Sequence, residues 1–345
     1  MPTTRAFAPG RVNLIGDHTD YTGGWVLPMA VELGTTVEVT QGGPRVELTS
    51  SEEPGRAVVD LDVTDPRAVE PAWARYVAGV VAVVRPAEGA TGTVSTTLPV
   101  GAGLSSSAAL EVAVALALGF DGTPLELAQA CQRAEHLASG VPSGIMDQLA
   151  SVMGVEGHAL LIDCSSLEVR PVPVPAGVDV VVVHSGQARA LAGSAYAERR
   201  AQCEAAAAVV GPLREATVDD LARLDDPLLR RRARHVVTEN RRVLDFAACL
   251  ADGDLAGAGR LMAASHASLA GDFEVSTPAL DALVAELSAA PGVYGARLTG
   301  AGFGGCVVAL AEAASPVRGR RLHASGGARV GRQGHLGPDG GVGGR

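Results

Sequence analysis

The chain has 345 residues, 47% hydrophobic but only 3% aromatic, so an aliphatic core large enough for two domains is expected. A formal net charge of −10 argues against a nucleic-acid partner, and apolar runs such as Val77–Val84 fall well short of the roughly 18 residues that cross a bilayer. Lysine is absent, which excludes a Walker loop, a protein-kinase strand lysine and a pyridoxal Schiff base, while five scattered cysteines (Cys131, Cys164, Cys203, Cys249 and Cys306) suggest neither disulfides nor zinc.

The N-terminal Met1–Arg5 runs into strand-like sequence without the apolar segment of a secretory leader, which predicts a cytoplasmic protein. From Ala6 to Asp62, β-rich runs (Thr35–Thr40, Arg45–Thr49, Ala57–Leu61) alternate with glycine and proline, the pattern of antiparallel strands. A helix is predicted over Ala72–Val84 and a strand over Thr91–Leu98. The glycine and serine loop Leu98–Ser107 then opens onto a helix from Ser106 to Leu118. Further helices are expected near Pro124–Ala138 and Gly144–Met153, with Pro124 suited to a first helical turn. The proline-rich Arg170–Pro175 cannot be helical and marks a boundary between domains 1–170 and 171–315. Beyond it, Val178–Val183 reads as a buried strand, Ser194–Ala290 as mostly amphipathic helix, and the glycine-rich Leu298–Gly305 leads into a strand at Val307–Leu310. Residues 316–345 hold ten glycines and six arginines and almost no large apolar side chain. They are expected to be an irregular tail, read either as low-complexity disorder or as a shifted reading frame.

Four segments carry chemistry. Between Ala8 and Gly24 an arginine, two carboxylates and an imidazole (Arg11, Asp17, His18, Asp20) crowd between glycines, a density that favours a small polyhydroxylated ligand. The serine loop sits between a strand and a helix, so its backbone N–H groups, its hydroxyls and the helix dipole converge on one spot, as phosphate binding requires. The third segment joins Arg133–His136 to Gly140–Gln148: with a divalent cation in view, Glu135 is a hard oxygen ligand and Asp147 a candidate base. The fourth is Leu298–Gly305, whose glycines permit close backbone approach.

In their order, these segments resemble the galactokinase branch of the GHMP small-molecule kinases, over about Ala6 to Leu310. The resemblance implies an α+β, two-domain fold with mixed and antiparallel sheets and the site between the domains. It also implies ATP-dependent phosphorylation of the galactose C1 hydroxyl. By the same resemblance, Arg11, Asp17, His18, Asp20, Gly144, Asp147 and Tyr196 hold the sugar. ATP lies against Pro99, Gly101, Ala102, Gly103, Leu104, Ser105, Ser106, Ser107 and Ala108, and Ser107 and Glu135 share Mg²⁺ with its phosphates. Asp147 is the catalytic aspartate with Arg11 beside it, and because phosphoryl transfer is commonly loose its main task is to orient the hydroxyl and take its proton late. A monomer without nucleic-acid or membrane partners is implied. Three departures stand out: the family usually has Glu where Asp17 stands and Asn where Thr22 stands, and it continues after the fourth segment with a helix and a strand that are not readable here. A kinase for a related sugar such as N-acetylgalactosamine, or a non-catalytic galactose- and ATP-binding regulator, are the alternatives.

Overall fold

The structure, a computed structural model, describes residues 3–99, 103–187 and 192–332. In chain order the first half contains β1 (Thr3–Asn13), β2 (Trp25–Val26), β3 (Pro28–Gln41), β4 (Arg45–Ser50), β5 (Arg56–Asp60), α1 (Ala74–Val84) and β6 (Ala90–Thr96). It continues through α2 (Ser106–Ala117), α3 (Pro124–Ser139), α4 (Met146–Met153), β7 (His158–Asp163) and β8 (Val169–Pro173). The second half contains β9 (Val178–His184), α5 (Ala192–Val210), α6 (Pro227–Asp252), α7 (Leu255–Gly271), α8 (Pro278–Ser288), β10 (Val293–Thr299), β11 (Cys306–Glu312), β12 (Arg320–Leu322) and β13 (Arg329–Arg332).

Local chemistry explains the helix starts. Thr123 and Glu126 form a capping box at α3, with Pro124 in its first turn. α2 is apolar on nearly every side and almost wholly buried, so it is the central helix of the first half. The main sheet runs β13, β1, β3, β6, β4, β5; a second runs β10, β11, β9, β12; and β2, β7 and β8 form a third. As expected, the strands of residues 6–62 pair with one another antiparallel. β4 pairs with β6 in parallel, because the crossover through β5 and α1 returns the chain alongside β4. The position expected for the domain boundary, between residues 170 and 171, falls within β8.

The irregular tail is corrected over residues 316–332. β12 adds to the edge of β9, and β13 pairs with β1, with Thr4 opposite Arg332. Between them, Ala324 bridges Val31, and Ser325 N donates to Ala30 O at 2.9 Å. Composition hid these strands because edge addition uses backbone groups, and Val317 and Leu322 suffice to cover the sheet behind them. Residues 333–345 lie outside the described residues.

One apolar cluster packs β1 and β3–β6 against α1–α3, and another packs α5–α8 against β9–β11. A third crosses the seam, joining Val12, Leu14 and Leu27 to Val180, Phe246 and Val308. The chemistry-bearing segments meet along this seam.

Candidate active site

The site is organised around β1 and the serine loop. A Cβ on Gly10 would lie 2.5 Å from Leu104 O, so glycine there lets the loop press onto the strand. Arg11 N then donates to Leu104 O at 3.1 Å, just past a register shift in β1. The guanidinium of Arg11 meets Asp147 as a fork: Nε donates to Oδ1 and Nη2 to Oδ2, both at 2.7 Å, while Nη1 donates to Gly103 O at 2.8 Å. Asp147 lies in the first turn of α4. Its Oδ2 also accepts from the hydroxyl of Ser105, whose left-handed backbone starts α2.

Beside this pair, Ser107 Oγ donates to Glu135 Oε1 at 2.9 Å. The Gln148 amide bridges two carboxyl groups, at 2.5 Å from Glu135 Oε2 and 3.4 Å from Glu111 Oε2. Burial, and then the Asp147 charge, push the Glu135 carboxyl above its usual range. Glu111 is fully buried, its Oε1 has no hydrogen-bond partner, and burial raises it well above the ordinary value. Two hard oxygen donors beside unneutralised carboxyls suit a divalent cation. Among the described residues no cluster of three or more His, Cys, Asp or Glu could hold one alone, so further ligands would come from phosphate and water.

At the other end, Asp20 and Gly144 touch: a Cβ on Gly144 would lie 1.9 Å from Asp20 Oδ2, so a larger residue there would displace the Asp20 carboxylate. The Gly144 N–H faces the Tyr196 hydroxyl. Burial, followed by the Asp147 charge, raises Asp20 to about 7. Asp17 and His18 are placed differently from a simple ligand reading. Asp17 is 2% exposed; its Oδ1 accepts from Gly300 N at 2.8 Å and its Oδ2 makes an ion pair with Arg297 at 2.6 Å. Burial lowers His18 to about 3, so its ring is neutral: Nε2 donates to Ala301 O and Nδ1 accepts from Tyr21, both at 3.1 Å. The ring packs against Tyr196 and Phe273, with centroids 5.3 and 4.8 Å away.

Arg11, Asp17, His18, Asp20, Gly103, Ser105, Ser106, Ser107, Glu135, Gly144, Asp147 and Tyr196 all line one cavity of about 750 Å³. Leu104 and Ala108 are buried in the core, and Pro99 is outside the wall. Gly101 and Ala102 lie outside the described residues. Sequence reasoning missed Tyr76, His184 and Arg297. The first two reach the wall from the start of α1 and the end of β9; only the end of an apolar strand run hinted at His184. It also missed a second cavity of about 260 Å³ lined by Trp73, Val94, Leu98 and Leu110, which shares Tyr76, Ser106 and Ser107 with the first.

The chain matches the galactokinase galactose-binding signature over residues 2–41, the GHMP kinase N-terminal domain over 75–155 and the GHMP kinase C-terminal domain over 246–322. It is 48% identical over 337 residues to a galactokinase of Homo sapiens, covering 91% of this chain and 85% of that protein. The chain belongs to the galactokinase family. A galactokinase of Roseiflexus sp. (strain RS-1) is 47% identical over 332 residues, covering 89% of this chain and 83% of that protein. The crystal structure of Lactococcus lactis galactokinase complexed with galactose superposes with a TM-score of 0.88 at 33% identity, over 95% of each chain. The mevalonate kinase of Methanococcus jannaschii, with a TM-score of 0.68 at 18% identity over 94% of this chain and 99% of that one, shares the fold alone. The galactokinase-family fold thus agrees with the mixed α+β reading, and the C-terminal match runs past Pro316 into the stretch expected to be irregular.

Proposed function

We infer that this galactokinase-family chain transfers the γ-phosphoryl group of ATP to the C1 hydroxyl of α-D-galactose. The observation that carries this reading is the forked Arg11–Asp147 pair, which stands between the serine loop and the Asp20–Gly144–Tyr196 corner of one cavity. Galactose occupies that corner, where Asp20 accepts from sugar hydroxyls and Gly144 excludes bulk. The triphosphate lies along the serine loop at the start of α2, and the nucleoside fills the smaller, partly apolar cavity beside Trp73. Asp147 orients the acceptor hydroxyl. As the bond from the sugar oxygen to phosphorus forms and the bond to the ADP oxygen breaks, the hydroxyl proton passes to Asp147. Arg11 holds Asp147 in place and faces the charge that develops on the transferring group. When bound by Ser107, Glu135 and the phosphates, Mg²⁺ supplies charge neutralisation, a need made greater by the absence of lysine.

The reading includes a monomeric, cytoplasmic enzyme built of two units that meet near residue 170. Among the described residues no helix is long and apolar enough to cross a membrane. The deciding experiment is ADP release by the purified chain with ATP and Mg²⁺, comparing galactose, N-acetylgalactosamine and no sugar. Galactose-dependent release supports the reading; preference for N-acetylgalactosamine reassigns the sugar; galactose binding without ADP release makes the chain a sensor.

A further inference from the structure

We propose that Arg297 is the positioning residue of the acceptor corner, setting the sugar-facing geometry of the signature loop from the opposite half of the fold. This rests on the assignment of that corner to the sugar. Arg297 sits on β10 and is wholly buried. Its guanidinium spans the seam: Nη1 donates to Leu14 O at 3.2 Å, Nη2 pairs with Asp17 at 2.6 Å, and Nε donates to Ser265 Oγ at 3.1 Å. The three contacts reach both ends of the turn Leu14–Asp17 and tie it to α7.

Asp17 and His18 then dock onto the segment that follows Arg297, through Gly300 N and Ala301 O. Asp17 and His18 line the cavity, yet three of their four polar side-chain atoms are engaged across the seam. Asp20, three residues beyond Asp17, keeps its carboxyl toward the cavity. Its place is therefore inherited from the docking of Asp17, and with it the contacts of any sugar hydroxyl. The nucleotide end has no such link among the described residues: Arg297 makes no hydrogen bond or ion pair with Ser105, Ser107 or Glu135, which lie on or beside α2 and α3.

A buried arginine beside buried carboxylates also supports the fold, so the test must separate geometry from stability. In Arg297→Met, Glu239 retains Arg242 at 2.6 Å and the Ser265 and Gly16 donors, which leaves Asp17 as the uncompensated charge. Adding Asp17→Asn removes that charge while keeping an oxygen for Gly300 N–H. Steady-state KM values for galactose and ATP, galactose affinity by calorimetry and melting temperature are measured on wild type, Arg297→Met, Arg297→Lys and the double variant.

Arg297→Met is expected to melt lower, and the double variant to recover the loss. Galactose KM and dissociation constant rise about tenfold or more in all three, with ATP KM within about twofold. Recovery of galactose affinity together with melting temperature in the double variant overturns the proposal, as does an equal rise in both KM values. If Arg297→Met fails to fold, the double variant and Arg297→Lys decide it alone. A wild-type chain that binds galactose without turnover defeats only the kinase reading, and the calorimetric comparison still decides this one. A wild-type chain that binds no galactose overturns both.

Discussion

Two arginine–carboxylate pairs stand in and behind the cavity wall, and burial separates them. Arg11–Asp147 lies open on one side, its carboxylate side chain 26% exposed, whereas Arg297–Asp17 is sealed at 0% and 2%. The first pair presents a carboxylate to the cavity, where the proposed transfer places the acceptor hydroxyl. The second is closed to solvent, and its contacts tie the turn Leu14–Asp17 to β10 and the segment after it. On the proposed reading, the same two functional groups serve chemistry at one end and geometry at the other, and solvent access is the variable that separates them.

Breaking the open pair has the largest expected effect on rate. Asp147→Asn should cut kcat by about 10²–10⁴-fold while leaving nucleotide affinity nearly unchanged, as read by steady-state assay and calorimetry, with little loss in melting temperature. Near-normal turnover would remove Asp147 from the reaction. The sealed pair should show the reverse weighting. Asp17→Ala leaves Arg297 with its nearest remaining carboxylate, Glu239, 3.9 Å away, and denaturant unfolding should register a loss of about 3–5 kcal/mol. A loss as small as that of a surface pair would refute the contrast.

Ser107→Ala and Glu135→Gln test the metal arm, which neither pair touches directly. Each should weaken Mg²⁺-dependent nucleotide binding by about 10–100-fold in a titration without sugar, leaving galactose affinity intact. Unchanged Mg²⁺ dependence would move the cation elsewhere.

The smallest effect is in pH. Burial and the Asp147 charge hold Asp20 at about 7, above the ordinary aspartate value of 3.8. A raised carboxyl binds its proton more tightly in the folded state, so this contribution to stability is complete below about 4 and is lost as pH rises through about 7. Asp20→Asn should therefore flatten the decline in melting temperature over that window. In Asp147→Asn, where one cause of the shift is gone, the pH inflection of galactose binding should move to lower pH. An inflection that stays in place would detach Asp20 from the open pair.

Much of the site was legible because local rules dominate it. Glycines beside Arg11, the serine loop before an apolar helix and the acid in the first turn of α4 are statements about neighbours in sequence. The division of labour within the signature was not legible: Asp17 and His18 have the same ligand chemistry as Asp20 on paper. Only Arg297, Gly300 and Ala301, some 280 residues on, show that Asp17 and His18 also pair across the seam. The cavity beside Trp73 escaped for the same reason, since β3, β4, β6, α1 and α2 each supply part of its wall. β12 and β13 escaped because backbone pairing to a sheet edge leaves almost no trace in side-chain pattern.

The pairing of β1 with β13 bears on the order in which the protein is made. β1 is hydrogen-bonded to β3 on one side and to β13 on the other, so during synthesis its outer edge stays open until the chain has passed Arg332. At about 5–20 residues per second that is a wait of tens of seconds, during which the first half has its hydrophobic core but not its last strand.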